Sequence, residues 1–285
     1  MSNFLTRAIT GTLFVVVMVA CILWSYWSMA ILFFTISLLG LWEFYSLLEK
    51  ANYSPQKYTG TIIGGALFGL FIVFLSDDIN IVFFLERLFL FVPSLFALFF
   101  FIELYRKKET PFHNIAFTIL GIFYVPFSFM LIARGGALLS KYDVVTDLTY
   151  FSYIPYPILG YFFLVWSNDT FAYLVGRIFG KRKLFERISP KKTWEGTIGG
   201  GILTMGAGYI ISIYFTEIAL VHWMVIAAIV TVTATLGDLV ESMFKRSLNV
   251  KDSGNILPGH GGILDRFDGV LLSSPFVFTY LLLIH

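Results

Sequence analysis

Lys245 to Asp268 reads KRSLNVKDSGNILPGHGGILDRFD and lies between two long apolar runs. Within these 24 residues stand four basic side chains (Lys245, Arg246, Lys251, Arg266), three carboxylates (Asp252, Asp265, Asp268), His260 and four glycines. A tight turn between two membrane spans needs glycine and a few topogenic cations, but has no use for the acids. The stretch therefore reads as a phosphate- and metal-handling site at a membrane surface, with the rest of the chain as its frame.

That frame is apolar. Of 285 residues, 58% are hydrophobic and only 13% charged, where a soluble domain carries about 25% charge. Runs of 18 or more apolar residues recur, each long enough to cross a hydrocarbon core of about 30 Å. The expected fold is all-α: a polytopic membrane protein with nine spans near 8–25, 28–48, 59–76, 87–104, 114–134, 154–176, 196–215, 221–243 and 265–284. It forms one membrane domain, with N-terminal helices in 1–150 and the site-bearing helices in 151–285. The opening MSNFLTR leads into an apolar run longer than a signal-peptide core, so it reads as a retained first span. The only cysteine, Cys21, lies inside that span, which excludes an intrachain disulfide and a cysteine-based metal site.

The basic residues fix an expected orientation. Arg7, Lys50, Lys57, Arg106, Lys107, Lys108, Arg177, Lys181, Arg182, Lys183, Arg187, Lys191, Lys192, Lys245, Arg246, Lys251 and Arg266 all fall on one side of a nine-span chain. Arg87, Arg134 and Lys141 fall on the other. The positive-inside rule puts the N-terminus and the richest loops, the sixth and the eighth, in the cytoplasm. Aromatics, 19% of the chain, read mainly as lipid-facing and interfacial residues.

The span before the opening stretch ends TATLGDLVESMFKR, which puts Asp238, Glu241 and Lys245 on one helix face. An unpaired carboxylate inside a span costs about 2.5–3.5 kcal/mol on insertion scales, so Asp238 should face a cavity, a cation or a partner. A snorkelling Asp–Lys cluster is the bland alternative. Asp265 and Asp268 share a face at the start of the last span, so two helix ends offer carboxylates on one side of the membrane. Oxygen-only ligands suit a hard cation, and Mg²⁺ typically takes one or two carboxylates plus substrate phosphates. Asp238, Glu241, Asp265 and Asp268 are the expected metal ligands. The glycines Gly259, Gly261 and Gly262 free loop N–H groups to face an anion. His260, Lys245, Arg246, Lys251 and Arg266, with Asp252 beside them, are expected around phosphates.

The sixth loop reads GKRKLFERISPKKTWEGTIGGG over residues 180–201. Ser189 followed by Pro190 predicts a helix start, with Ser189 as N-cap. Lys191 and Lys192 would then oppose the helix dipole in the first turn unless an anion sits between them. Gly196, Gly199, Gly200 and Gly201 predict close helix packing. In the sixth span, the polar patch Ser167, Asn168, Asp169 and Thr170 makes Asp169 a further site candidate. No P-loop, dinucleotide fingerprint, HExxH or GxSxG is present, and no covalent nucleophile is evident.

SMFKRSLNVKDSGNILPGHGGILDRFD, residues 242–268, resembles the signature of the bacterial phosphatidate cytidylyltransferases, the CDP-diacylglycerol synthases. The upstream ISPKKTWEG and GDLVES segments are similar to that family as well, so the resemblance covers about residues 160–285. Phe171 stands where the family often carries glycine. The resemblance implies a multipass enzyme of the cell (inner) membrane, its site facing the cytoplasm. Such an enzyme joins CTP to phosphatidic acid with a Mg²⁺ requirement and releases pyrophosphate. The expected partners are CTP, phosphatidic acid and the bilayer, with a homodimer also admitted and no nucleic acid. Asp238, Lys245, Asp265 and Asp268 are then the expected catalytic residues, with Ser189, Lys191 and Lys192 across the cleft. Two rivals share parts of this chemistry: a transporter, whose acids would lie near the membrane midplane, and a CTP-using polyprenol kinase.

Overall fold

Proline, serine and threonine mark most of the helix starts. The computed structural model describes residues 3–73, 90–136, 142–143, 148–149, 153–254, 256 and 261–284. The helices are α1 Asn3–Trp24, α2 Tyr26–Lys50, α3 Lys57–Val73, α4 Val92–Arg106, α5 Pro111–Tyr124, α6 Pro126–Gly135, α7 Tyr156–Phe179, α8 Trp194–Tyr214, α9 Leu220–Ser247 and α10 Leu264–Ile284. Ser25 caps α2 in a reciprocal box with Ser28. Prolines open α4, α5, α6 and α7, where their missing N–H is not needed. Two short antiparallel ribbons interrupt the all-helical pattern: β1 Tyr142–Asp143 with β2 Leu148–Thr149, and β3 Lys183–Phe185 with β4 Ser189–Thr193.

Among the described residues, six helical segments are long and apolar enough to cross a bilayer: Tyr26–Lys50, Pro111–Gly135 (α5 with α6), Tyr156–Phe179, Trp194–Tyr214, Leu220–Ser247 and Leu264–Ile284. The fifth expected span is thus one apolar rod that breaks at Val125, ahead of Pro126. Ala8–Trp24 and Lys57–Ile72 are apolar but shorter. The expected fourth span corresponds to the 15-residue α4, and its first residues lie outside the described residues. The chain is a multipass helical membrane protein, and the expected count of nine spans is not established.

The core joins both halves of the chain. α7, α8, α9 and α10 pack side by side, α10 also lies on α6, and α6 lies on α2. Phe33 of α2 stacks between Phe129 of α6 and Phe162 of α7, with ring centroids 5.8 and 5.7 Å away. As the glycine pattern predicts, α8 approaches α7 closely. A Cβ at Gly200 would sit 2.7 Å from the backbone of Ala172. Pro275, inside α10, has no N–H for the carbonyl four residues earlier. That carbonyl, Leu271 O, instead accepts from Ser128 Oγ of α6 at 2.6 Å, and Ser274 Oγ donates to Ser128 O at 3.1 Å.

The contacts made by the described connections fall into two sets. In one, Arg106 Nη1 donates to Ser54 O at 2.9 Å and Ser54 N–H donates to Asn114 Oδ1 at 3.0 Å. Phe44, late in α2, stacks on Phe244, late in α9, with ring centroids 4.8 Å apart. In the other, Tyr153 donates to Ile22 O at 2.6 Å, and His222 Nδ1 lies 2.8 Å from the Tyr280 hydroxyl.

Candidate functional site

Five helices and a ribbon line a cavity of about 740 Å³ at the end where α9 stops and α10 starts. Its polar side is made by Asp169 of α7, Ser189, Lys191 and Lys192 of β4, Asp238 of α9, and Asp265, Arg266 and Asp268 of α10. Thr10, Gly11, Phe14 and Val15 of α1 and Trp166 and Tyr173 of α7 supply a largely apolar wall. The carboxylates expected from two separate helix ends therefore do meet in one cavity, and a third helix adds Asp169.

Close backbone approach brings the acids together. A Cβ at Gly237 would lie 2.6 Å from Asp268 O and 3.2 Å from Gly269 Cα. Only glycine there lets α9 lie directly against α10, and it immediately precedes Asp238. The Asp268 carboxylate is within electrostatic reach of Asp238, Asp169 and Glu241, and Oδ1 accepts the N–H of Gly269 at 2.6 Å. Facing these acids, Lys192 Nζ lies 2.6 Å from Asp238 Oδ2.

The lysines reach the cavity by a different route from the expected one. Ser189 and Pro190 do not start a helix; Ser189–Thr193 is strand β4, with Lys183 opposite Thr193 and Phe185 opposite Ser189. The helix begins at Trp194, capped by Thr193, whose Oγ1 accepts the Gly196 N–H at 3.2 Å. Glu195 in the first turn then accepts the N–H groups of Lys181 and Arg182 at 3.0 and 3.1 Å, fastening the start of the ribbon to α8. Ser-Pro satisfies the local rule for a helix start, but pairing with β3 and the Thr193 cap together outweigh it. In a two-stranded ribbon Pro190 need not cost a ladder donor. Lys191 and Lys192 are therefore not first-turn residues, and the expected conflict with a helix dipole is absent.

A second acid–base group lies beside the cavity. Lys245 Nζ stands 2.6 Å from Glu241 Oε2 and 2.6 Å from Asp265 Oδ1. Asp265 Oδ2 also accepts the N–H groups of Ser253 and Gly262, each at 2.9 Å. Gly261, at φ +88°, provides the left-handed turn that leads into this cradle. Glu241 is buried, and neither it nor Lys245 lines the cavity. Arg246 is exposed and donates to Val250 O at 3.3 Å, while Lys251 and Asp252 are exposed on the loop, away from the cavity lining. His260 lies outside the described residues.

Glu43 of α2 was missed by the sequence reading. It is buried and accepts hydrogen bonds from Ser253 Oγ and, at 2.6 Å, from Ile263 N–H. The signal that flagged Asp238, an acid within an apolar run, is equally present in LGLWEFYSLLEK. A second overlooked group centres on Glu103, which accepts from Gln56, Asn114 and Arg106 at 2.8, 2.8 and 2.7 Å. It ties α4 and α5 to the α2–α3 connection.

The donor set bears on a metal ion. Among the described residues, no group of three or more His, Cys, Asp or Glu is arranged to hold an ion by itself. A hard cation that takes one or two carboxylates and completes its shell with phosphate oxygens does fit Asp238 and Asp268. Asp265 is the more heavily engaged, accepting from Lys245, Ser253 and Gly262, against Lys192 and Ser242 at Asp238.

Residues 5–284 match the family model described as the cytidylyltransferase family. The phosphatidate cytidylyltransferase of Staphylococcus haemolyticus is 42% identical over 171 residues, 59% of this chain and 60% of the relative. Those of Bacillus subtilis and Haemophilus influenzae are 48% identical over 121 residues and 45% identical over 143. These two matches cover 42% and 47% of this chain and 45% and 49% of the relatives. The matched part thus spans about half to three fifths of these relatives' own length.

Proposed function

The chain belongs to the cytidylyltransferase family, and on that premise we propose that it transfers the cytidylyl group of CTP to phosphatidic acid. A phosphate oxygen of the lipid attacks the α-phosphorus of CTP, and the bond to the β-phosphate breaks. Pyrophosphate leaves, and CDP-diacylglycerol stays in the membrane. The observation that carries this reading is the two-sided cavity, with acids and lysines on one side and the apolar wall of α1 and α7 on the other. A lipid whose phosphate must meet a nucleotide from water needs both.

The lipid is itself the nucleophile, so no side-chain nucleophile is required. Two highly anionic substrates repel each other, and transfer of this type rests mostly on positioning and charge stabilisation. Lys191, Lys192, Arg266 and Ser189 line the cavity, and in this proposal they receive phosphate oxygens. Mg²⁺ held by Asp238 and Asp268 would screen the CTP phosphates and the charge developing on pyrophosphate. Asp169 borders the same space. The Lys245–Asp265–Glu241 group holds the start of α10, and hence Arg266 and Asp268, in register with α9.

The proposal places the cavity on the cytoplasmic face of the cell (inner) membrane, supported by the clustering of basic residues in the connections at that end. A homodimer belongs to the same proposal. The decisive experiment incubates purified protein with CTP, Mg²⁺ and phosphatidic acid and identifies the products. CDP-diacylglycerol with pyrophosphate is the expected pair; a phosphorylated polyprenol with CDP, from a polyprenol substrate, would point to the lipid kinase instead.

A further inference from the structure

Glu43 does not touch the cavity, yet it shapes what does. It lies in α2, 4% exposed, in an otherwise apolar stretch of helix. Its Oε2 accepts the Ile263 N–H at 2.6 Å, and its Oε1 accepts from Ser253 Oγ. Both donors belong to the segment that joins α9 to α10, at the far end of the chain. Ser253 passes the constraint on: its N–H donates to Asp265 Oδ2 at 2.9 Å, and its Oγ accepts the Asp265 N–H at 3.3 Å. The adjacent Gly262 N–H donates to the same Asp265 oxygen at 2.9 Å. Ser253, Gly254, Gly262 and Ile263 are moulded around the carboxylate. A Cβ at Gly254 would lie 2.6 Å from Glu43 Oε1, and one at Gly262 would overlap it.

A carboxylate buried in a membrane helix is costly, and such groups are usually functional. No described lysine or arginine forms a salt bridge with Glu43. Glutamine has a similar shape but would turn an NH₂ toward one of the two donors, so the position calls for an acceptor at both oxygens.

We propose that Glu43 is a positioning residue which, through Ser253 and the Gly262–Ile263 backbone, sets the place of Asp265 and its partner Lys245 at the cavity edge. The proposal rests on the cavity being the site of cytidylyl transfer. Displacing a reacting constellation by about 1 Å costs on the order of 100-fold in rate, so the effect should fall on kcat rather than on substrate binding.

The test compares full-length wild type, Glu43→Gln, Ser253→Ala and the double variant in detergent. Glu43→Gln should lower kcat about 10- to 100-fold, with KM for CTP within about twofold. The double variant should lose much less than the product of the two single losses, because both act through one connection. Wild-type kcat per folded molecule, a loss confined to the folded fraction, or multiplicative losses would overturn the proposal. Should Glu43→Gln not fold, Ser253→Ala carries the same kcat-against-KM test. Hydrogen exchange separates this proposal from the reaction on which it rests. Amides of Ser253, Gly262, Ile263 and Asp265 should exchange at least about tenfold faster in Glu43→Gln, with those of the α9 interior unchanged. That result would sustain the connection even if wild type made no CDP-diacylglycerol, and unchanged exchange would refute it.

Discussion

Lys192 Nζ on the β3–β4 ribbon meets Asp238 Oδ2 on α9 at 2.6 Å, and the two side chains keep 24% and 29% of their surface exposed. A pair this open adds only about 0–1 kcal/mol to stability. It remains within reach of an incoming anion, for which Lys192 can exchange its partner. Lys192→Ala should therefore lower kcat/KM for CTP about 10- to 100-fold, equivalent to roughly 1.4–2.7 kcal/mol of transition-state stabilisation. Melting in detergent should move little. Unchanged kinetics would reduce the lysine to a topogenic charge.

Asp265 accepts Lys245 on one oxygen and two backbone N–H groups on the other. An asparagine removes the charge that holds Lys245 and can present an NH₂ to one of those donors. Asp265→Asn should bring CTP-dependent turnover below about one hundredth of wild type, the scale of loss when a reacting constellation is displaced. The protein should still elute from gel filtration as the folded species. Full activity would remove Asp265 from the site.

Gly237 is a point of close approach between α9 and α10, and the nearest atom facing it is the backbone oxygen of Asp268. A backbone cannot step aside as a side chain can. Gly237→Ala should cost about 1–3 kcal/mol through overpacking, visible as a lower melting temperature. It should also cost activity, because separating the helices separates Asp238 from Asp268. An alanine variant as stable and active as wild type would mean that the approach has no role in the site.

Chelation tests the cation directly. With EDTA in excess, turnover should stop and labelled CTP should bind more weakly, and both should return with added Mg²⁺. Turnover that persists in chelator would leave Asp238 and Asp268 as purely electrostatic groups.

Much of this was legible in the chain. The apolar runs gave the membrane class, and the acids of Lys245–Asp268 and GDLVES gave the cavity's polar side, because a charge kept inside lipid-facing sequence needs a reason. The glycine run after Trp194 gave the tight packing of α8 on α7. The ribbon was not legible. Ser189-Pro190 and Thr193 each satisfy a rule for starting a helix, and the choice between them depends on Phe185 pairing back and on Glu195 gripping two distant amides. Lys245 looked like a phosphate ligand by composition, but only the fold shows it held between Glu241 and Asp265. Glu43 was hidden by its location, since nothing local in α2 announces a partner in the segment before α10.

The proline in α10 leaves Leu271 with a carbonyl that its own helix cannot satisfy, and α6 completes it through Ser128. In lipid no water stands in for the missing donor. The Leu271 carbonyl thus finds its donor only once α10 meets α6, a helix made much earlier in synthesis. That arrangement makes the packed bundle, rather than any individual rod, the smallest self-sufficient unit.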